Sequence, residues 1–174
     1  MTREVLSSQE LGFRQSDDFQ IVWSPTGNLI ALTSNVYSSS GQSWTILART
    51  DGSGARAVVS LQPDVPVAVT LDSVLLATGF SADGKYFAVT RLHPGSWILS
   101  TTLIYDTATG DIIRTLSNML GWTPWSSAWS PTGREIVLNS YNGVYLLADP
   151  GDPNSQPEQL TGARCFGLMW NPRP

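Results

Sequence analysis

The sequence predicts an all-β fold, and three observations lead to that prediction. Short runs of alternating or β-branched residues, bounded by Gly, Pro and Asp, dominate the chain. The composition combines 15 Gly and 11 Pro with 41% hydrophobic and only 14% charged residues, as in turn-rich β proteins. One five-residue motif also recurs along the chain. The length of 174 residues fits a single domain, residues 1–174.

The recurring motif is an aromatic residue followed by a short polar turn. Pro presets φ at the second turn position and Gly accepts positive φ near its end, so the motif suits a tight hairpin. Its copies are Trp23-Ser24-Pro25-Thr26-Gly27, Phe80-Ser81-Ala82-Asp83-Gly84, Trp129-Ser130-Pro131-Thr132-Gly133 and the altered Trp170-Asn171-Pro172-Arg173-Pro174. Because the four aromatic positions are equivalent, we expect these side chains to pack between neighbouring repeats.

Each repeat is predicted to contain four strands, a to d, joined as an antiparallel meander. The predicted strands are 19–24, 28–34, 44–50 and 55–61; then 75–81, 85–91, 101–107 and 111–117; then 126–130, 134–140, 143–149 and 157–161. A four-stranded meander that recurs in this way is a propeller blade. The sequence therefore predicts an incomplete β-propeller: blades at about 19–61, 75–117 and 126–161, and a partial blade at 166–171 that supplies the first strand of a fourth.

The repeat resembles that of the TolB-like propeller family, in which W-S-P-D-G-K-x-I-A-F is followed by a strand and a D-x-x-x-G turn. The resemblance extends from about residue 19 to residue 171 and implies the fold rather than a specific activity. Thr replaces Asp in the first and third copies, and Phe80 replaces Trp in the second. The WD-repeat family is similar but less so, because no repeat has a Gly-His pair or a terminal Trp-Asp pair.

Charge and hydropathy exclude several classes of partner. The chain has 10 Lys and Arg against 14 Asp and Glu without a basic cluster, so we expect no nucleic-acid binding. No apolar run approaches the roughly 20 residues of a membrane helix, so we expect no membrane insertion. The N-terminus lacks an apolar signal region, which predicts a cytoplasmic protein by default, or an extracytoplasmic one if a signal peptide was removed. The single cysteine, Cys165, excludes an intrachain disulfide.

Residues with the chemistry of catalysis or metal binding are sparse. His93 is the only histidine, and no Gly-x-Ser-x-Gly motif supplies a nucleophile. Asp149, Asp152 and Asn154 are interrupted by prolines, so this segment is interpreted as a solvated turn rather than a calcium loop. We therefore expect no enzymatic activity, no metal and no cofactor.

Long loops lie at one end of the predicted blades. The a–b and c–d turns are short, whereas the b–c connections at 35–43 and 92–96 and the d–a connections at 62–74 and 118–125 are long. Loops on a rigid scaffold often carry binding residues. The binding candidates on this face are Tyr37, His93, Trp97, Trp122 and Trp125, with Asp64 and Asp72 nearby.

Three functions fit these observations. The first is a non-enzymatic protein-interaction or scaffold module whose propeller is completed by self-association, as a homo-oligomer, or by a partner chain within a larger complex. In that case residues 3–8 and 166–171 are expected to meet across the join. The second is an accessory propeller of a peptidase-like enzyme, which the resemblance to TolB-like propellers implies. The third is a carbohydrate-binding propeller that uses Trp122 and Trp125 to stack on sugar rings.

Overall fold

A computed structural model describes residues 18–35, 44–51, 53–60, 75–92, 100–117, 126–163, and the single residues 165, 168 and 170. These residues form three antiparallel sheets of four strands each, and no helix occurs among them. In each sheet the strands follow one another in chain order, so each is a simple meander. We call the three sheets blades 1, 2 and 3.

The strand bounds of each blade follow the repeat. Blade 1 contains β1 (Asp18–Trp23), β2 (Leu29–Asn35), β3 (Trp44–Arg49) and β4 (Arg56–Ser60). Blade 2 contains β5 (Leu75–Phe80), β6 (Tyr86–Leu92), β7 (Ser100–Asp106) and β8 (Ile112–Ser117). Blade 3 contains β9 (Ser126–Trp129), β10 (Ile136–Ser140), β11 (Gly143–Leu147) and β12 (Glu158–Thr161).

The three predicted four-stranded meanders are confirmed, and each strand begins and ends within two residues of its predicted bounds. The predicted strand at 166–171 lies largely outside the described residues. Of that segment the structure describes Leu168 and Trp170, and neither belongs to a strand.

The motif forms the hairpin between the first two strands of each blade. Its glycine has a positive φ of 72–74° in all three blades. The glycine N–H donates to the carbonyl of the motif serine at 2.8–2.9 Å. The serine side chain is buried and accepts the N–H that opens the second strand, as from Leu29 to Ser24 Oγ at 3.0 Å. Sequence and geometry therefore agree residue by residue at this turn.

The blades pack face to face through two apolar layers. We call the face that carries the motif aromatic the leading face and the opposite one the trailing face. The leading face of blade 2 packs on the trailing face of blade 1 through Ala31, Leu47, Phe80, Phe87, Val89 and Tyr105. The leading face of blade 3 packs on blade 2 through Ala88, Ile104, Leu116, Ile136, Leu138, Tyr145 and Leu147.

The first strand of each blade is central to this stacking. The strand β5 contacts β1, β2 and β3 of the preceding blade as well as β9 of the following one. Such packing of successive sheets around their first strands is propeller geometry. Within the described ranges there is no helix of the length and apolarity needed to cross a bilayer.

Candidate functional site

The binding residues predicted on the long-loop face all lie outside the described residues. This applies to Tyr37, His93, Trp97, Trp122 and Trp125, and also to Asp64 and Asp72. The assignment of a binding face to these side chains therefore stays a prediction.

The strand ends that adjoin the long loops carry buried polar atoms without partners. The Oγ atoms of Ser100, Ser126 and Ser127 and the Oδ1 atom of Asn139 have no hydrogen-bond partner in the described part of the chain. Asn139 also donates through Nδ2 to the Cys165 carbonyl. Ser126 faces Asn139 across the β9–β10 pair, so these two groups lie at one position of the sheet. Leaving such groups unpaired costs free energy, so this end of blades 2 and 3 can offer hydrogen bonds to another group.

On the leading face of blade 1, the first strand carries the two most exposed large apolar side chains of the described chain, whereas Ile46 and Ala48 of β3 on the same face are buried. Ile21 and Trp23 in β1 are 58% and 62% exposed. They lie opposite Leu32 and Ile30 of β2, which are half-buried. The expectation that Trp23 packs between blades is therefore wrong. The physical reason is that no blade within the described residues covers this side of blade 1, whereas its trailing face packs on blade 2.

The corresponding aromatic residues of later repeats are covered. Phe80 is only 6% exposed, and Trp129 and Trp170 are half-buried. Trp129 Nε1 donates to the Gly79 carbonyl at 3.0 Å, and Trp170 Nε1 donates to the Ala128 carbonyl at 2.8 Å. In both pairs the acceptor is the residue immediately before the aromatic of the preceding blade. The repeat thus encodes a specific inter-blade hydrogen bond, in addition to apolar packing.

The motif glycines show the same contrast between covered and uncovered blades. A Cβ atom at Gly84 would lie 3.0 Å from Thr26 Oγ1 of blade 1, and a Cβ atom at Gly133 would lie 3.1 Å from the Asp83 nitrogen of blade 2. Each glycine therefore packs on the fourth motif residue of the preceding blade. A Cβ atom at Gly27 would meet nothing within 4 Å. Among the described residues, nothing fills the space beside the turn of blade 1.

A further set of contacts joins blade 2 to blade 3. The Tyr86 and Trp129 rings stack with their centroids 6.1 Å apart. The Arg114 guanidinium donates to the carbonyls of Asp152, at 3.0 Å, and Ser155. The Arg114 bonds tie the outer strand of blade 2 to the c–d turn of blade 3, and the ring stack joins β6 to β9.

A cleft of about 410 Å³ opens between the turns of blades 1 and 2. Polar residues at its rim include Thr26, Arg49, Asp83 and Thr107. Partial burial acts to raise the pKa of Asp83, but hydrogen bonds from the Ser81 hydroxyl at 2.6 Å and the Lys85 N–H at 3.0 Å outweigh it and lower the pKa. The ionised carboxylate therefore stabilises the hairpin of blade 2, whose Ser81 hydroxyl and Lys85 N–H it accepts.

Groups that could perform chemistry are not assembled within the described ranges. No cluster of three or more His, Cys, Asp or Glu side chains that could hold a metal occurs there. Asp149 and Asp152 are exposed, and each carboxylate accepts a hydrogen bond from a backbone N–H two residues on, at 2.9 and 2.8 Å. These two side chains stabilise the c–d turn of blade 3, in agreement with its interpretation as a solvated turn.

The sequence did not predict two features of the inter-blade faces. One is Ile21, whose exposure adds to that of Trp23 on the same face of β1. The other is the donor role of the repeated indole. A signal for the second was present, because Trp is both a large apolar residue and an N–H donor that usually finds an acceptor when buried.

No family model and no curated protein matches the chain. Solved structures with a similar fold do exist. The chain is similar to the β-propeller domain of the Trilobed protease from Pyrococcus furiosus, with a TM-score of 0.53 and 14% identity over 81% of this chain and 43% of that one.

Two further structures are similar to the same extent. TolB from Acinetobacter baumannii gives a TM-score of 0.54 at 16% identity, over 83% of this chain and 32% of that one. A periplasmic gluconolactonase from Pseudomonas aeruginosa gives a TM-score of 0.54 at 21% identity, over 87% of this chain and 42% of that one. At such identities the likeness establishes the fold alone, a β-propeller. The chain spans less than half the length of these three structures.

Proposed function

We propose that the chain is a non-enzymatic protein-interaction module of the β-propeller type, which acts by joining its exposed blade 1 to further β-sheet. The observation that carries the proposal is the exposed β1 part of the leading face of blade 1. It has the residue types of an inter-blade surface, yet Ile21 and Trp23 are exposed to solvent. Two neighbouring exposed apolar side chains on one sheet face support an interaction site, because contiguous exposed apolar surface is uncommon on soluble proteins.

The shape and the residue types of this face favour a protein partner over a small molecule. The face is a sheet surface rather than a concave pocket, and its counterparts in blades 2 and 3 are filled by another blade. Large apolar side chains with one hydrogen-bond donor, such as Trp, are enriched at the centres of protein interfaces. The partner expected here is therefore a polypeptide that presents a β-sheet.

The test is site-specific photo-crosslinking in the organism that carries the gene. A photoreactive phenylalanine analogue is placed at Trp23 and, as the matched control, at Leu160, which is 54% exposed on the outer strand of blade 3. We expect a crosslinked polypeptide from position 23 and none from position 160. Equal yields from the two positions, or none from either, would overturn the proposal.

The non-enzymatic part of the proposal has its own test. The purified chain is assayed on general esterase and peptidase substrates before and after a second chromatographic step. We expect no activity that follows the protein through both steps. Activity that does follow it, and that is lost on unfolding, contradicts this part while leaving the crosslinking result to be judged separately.

A second candidate is a propeller that serves a peptidase. It is favoured by the similarity to the propeller domain of the Trilobed protease, although that similarity carries fold alone. In this case the polypeptide crosslinked at position 23 is a catalytic domain, and mass spectrometry of the adduct identifies it. Adduct peptides from a protein without a hydrolase domain favour the interaction module.

A further inference from the structure

The cleft between the turns of blades 1 and 2 has a filled counterpart at the next junction of the stack. Leu29 and Tyr86 hold the same repeat position, because each is the first residue of the second strand of its blade. The Tyr86 ring stacks on that of Trp129 in blade 3. A Cβ atom at Gly151 would lie only 2.6 Å from the Tyr86 hydroxyl oxygen. The phenol therefore fills the space between the sheet of blade 2 and the c–d turn of blade 3.

Leu29 is too short to fill the same space between blades 1 and 2. It lines the cleft of about 410 Å³ from the side of blade 1, and Thr107 and Ala108 of the c–d turn of blade 2 line the opposite side. Leu29 is half-buried, and Leu47 forms a buried part of the floor. Concave sites of roughly 300–1,000 Å³ are typical for small ligands. The repeat thus leaves open at this junction a place that an aromatic ring takes at the next one.

The wall that belongs to blade 1 carries a cationic group. Arg49 is exposed and lines the cleft, and its guanidinium makes no hydrogen bond to another described residue. The carboxylate of Asp51, which feels the charge of Arg49, instead accepts the N–H and the hydroxyl of Ser53 at 2.8 and 2.6 Å. The five N–H donors of Arg49 are therefore ready for a planar acceptor such as a carboxylate.

The wall that belongs to blade 2 carries an acceptor. Asp83 is exposed and lines the cleft. Its hydrogen bonds from the Ser81 hydroxyl and the Lys85 N–H both end on Oδ1. Within the described ranges this leaves Oδ2 to accept a further bond. The two walls therefore call for an occupant with an anionic group at one end and a hydrogen-bond donor at the other.

The cationic wall occurs only where the ring is missing. Leu29 pairs with Arg49 across β2 and β3, and Tyr86 pairs with Asp106 across β6 and β7. Arg49 and Asp106 are thus equivalent in the repeat but opposite in charge. Blade 2, which supplies its own ring, has no arginine at this position.

We propose that this cleft is a binding site for a small hydroxy-aromatic carboxylate. The ring of the ligand lies beside Leu29, in the place that the Tyr86 phenol takes at the next junction. Its carboxylate pairs with the Arg49 guanidinium and its hydroxyl donates to the Asp83 carboxylate. The site contains neither Ile21 nor Trp23, so it does not depend on what covers the leading face of blade 1.

The probe is 4-hydroxyphenylacetate, which joins a phenol like that of tyrosine to a carboxylate. Two analogues each lack one polar group: phenylacetate has no hydroxyl, and 4-hydroxyphenethyl alcohol has no carboxylate. Each compound is titrated at neutral pH into the isotope-labelled full chain, and the backbone amide shifts are followed by NMR. We expect saturable shifts at cleft residues with 4-hydroxyphenylacetate, at a Kd of roughly 1 mM or below, and at least several-fold weaker binding of either analogue.

Three variants locate the binding. Leu29→Tyr gives blade 1 the residue of blade 2, so it should fill the cleft and abolish binding. Arg49→Gln keeps the cleft open but removes the charge, and should weaken binding by about 10-fold or more. Arg134→Gln is the matched control, because it removes the same charge from the exposed a–b turn of blade 3, outside the cleft. It should bind the probe as the wild type does.

Circular dichroism and urea unfolding establish that each variant is folded, and Arg49→Gln decides alone if Leu29→Tyr does not fold. The proposal is overturned if cleft amides show no saturable shift up to about 20 mM probe. It is also overturned if the alcohol binds as well as the acid, or if Arg134→Gln loses as much affinity as Arg49→Gln. Crosslinking at position 23 is measured without the probe, so the proposed function stands or fails separately.

Discussion

Blades 1 and 3 carry the same motif aromatic on the same face, but among the described residues only that of blade 3 has a blade to cover it. Trp129 is half-buried and bonded to Gly79 of blade 2, whereas Trp23 is 62% exposed. The residues behind them differ in the same way, since Ile136 is fully buried and Ile30 is not. The comparison shows that the local sequence sets which residues an inter-blade face contains, while the surroundings set which of them are buried. On the leading face of blade 1, Ile46 and Ala48 are buried whereas Ile21 and Trp23 are exposed.

The contrast also separates two contributions to the inter-blade interface. Blade 2 meets blade 1 through Phe80, which has no hydrogen-bond donor in its side chain and packs in one apolar cluster with Ala31 and Leu47 of blade 1. Blade 3 meets blade 2 through Trp129, which adds a hydrogen bond to similar apolar packing. Apolar contact is therefore sufficient to stack blades, and the indole bond is an addition that fixes their position.

The largest expected difference between the two blades comes from truncating equivalent isoleucines. Ile136→Ala removes a fully buried side chain from the layer between blades 2 and 3 and should lower the free energy of unfolding by about 2–5 kcal/mol. Ile30→Ala, at the same repeat position in blade 1, should cost about 1 kcal/mol because the side chain is only half-buried.

Urea unfolding of both variants, at a concentration where the chain is monomeric, measures this difference. Equal losses of stability at the two positions would show that the leading face of blade 1 is already covered in the monomer, and would contradict the comparison. If the loss at Ile30 grows with protein concentration, the face becomes buried on association.

The next difference concerns the motif glycines of the same two blades. Gly27→Ala and Gly133→Ala both place a side chain at positive φ, which should cost each about 1 kcal/mol. At Gly133 the new Cβ also lies 3.1 Å from the Asp83 nitrogen, so that variant should lose about 1 kcal/mol more. The change in urea midpoint at constant m-value checks this. A larger loss of stability in Gly27→Ala than in Gly133→Ala would show that another group packs against the turn of blade 1.

A smaller difference is expected from exchanging each tryptophan for phenylalanine. Trp129→Phe keeps an aromatic ring but removes the donor to the Gly79 carbonyl, which should cost about 1 kcal/mol. Trp23→Phe should leave the stability of the monomer unchanged, because no described residue accepts a hydrogen bond from its indole. Blade 2 is the natural precedent, since Phe80 already occupies this position. Thermal unfolding resolves the two variants, and an equal loss in both would assign the effect to ring size.

The sequence predicts more of the fold than of the candidate site, and the reason is physical. Strands and hairpins depend on alternation and turn chemistry within a few residues, as at Ser81 and Gly84, so the twelve strands could be placed within two residues. The exposure of Trp23 depends on whether another blade packs on its side of blade 1. The other three motif aromatics pack on the preceding blade, so their shared pattern gives no sign that Trp23 differs. Residues with the same local pattern can therefore have different surroundings.

The smallest expected effect is a pH dependence confined to blade 2. Blades 1 and 3 have Thr26 and Thr132 at the fourth motif position, but blade 2 has Asp83. Burial pushes the pKa of Asp83 upward, yet the hydrogen bonds from Ser81 and Lys85 prevail and hold it below its ordinary value of 3.8. The folded protein therefore binds this proton less readily than the unfolded chain. It follows that the carboxylate stabilises the fold fully above the ordinary pKa, and that this contribution is lost as the pH falls through the lower pKa of the folded state.

The Asp83→Thr variant isolates this contribution, because it gives blade 2 the turn that blades 1 and 3 already have. The hydroxyl of Thr132 meets that of Ser130 at 2.9 Å, so the exchange keeps a polar contact to the motif serine while removing the titrating group. We expect the wild type to lose stability relative to the variant as the pH is lowered from about 7 to about 2.5, with no divergence above about pH 5. Parallel free energies of unfolding over the whole range would mean that Asp83 titrates alike in the folded and unfolded states. Because Thr26 and Thr132 cannot titrate, the divergence between wild type and variant measures the contribution of Asp83 alone among the three motif turns.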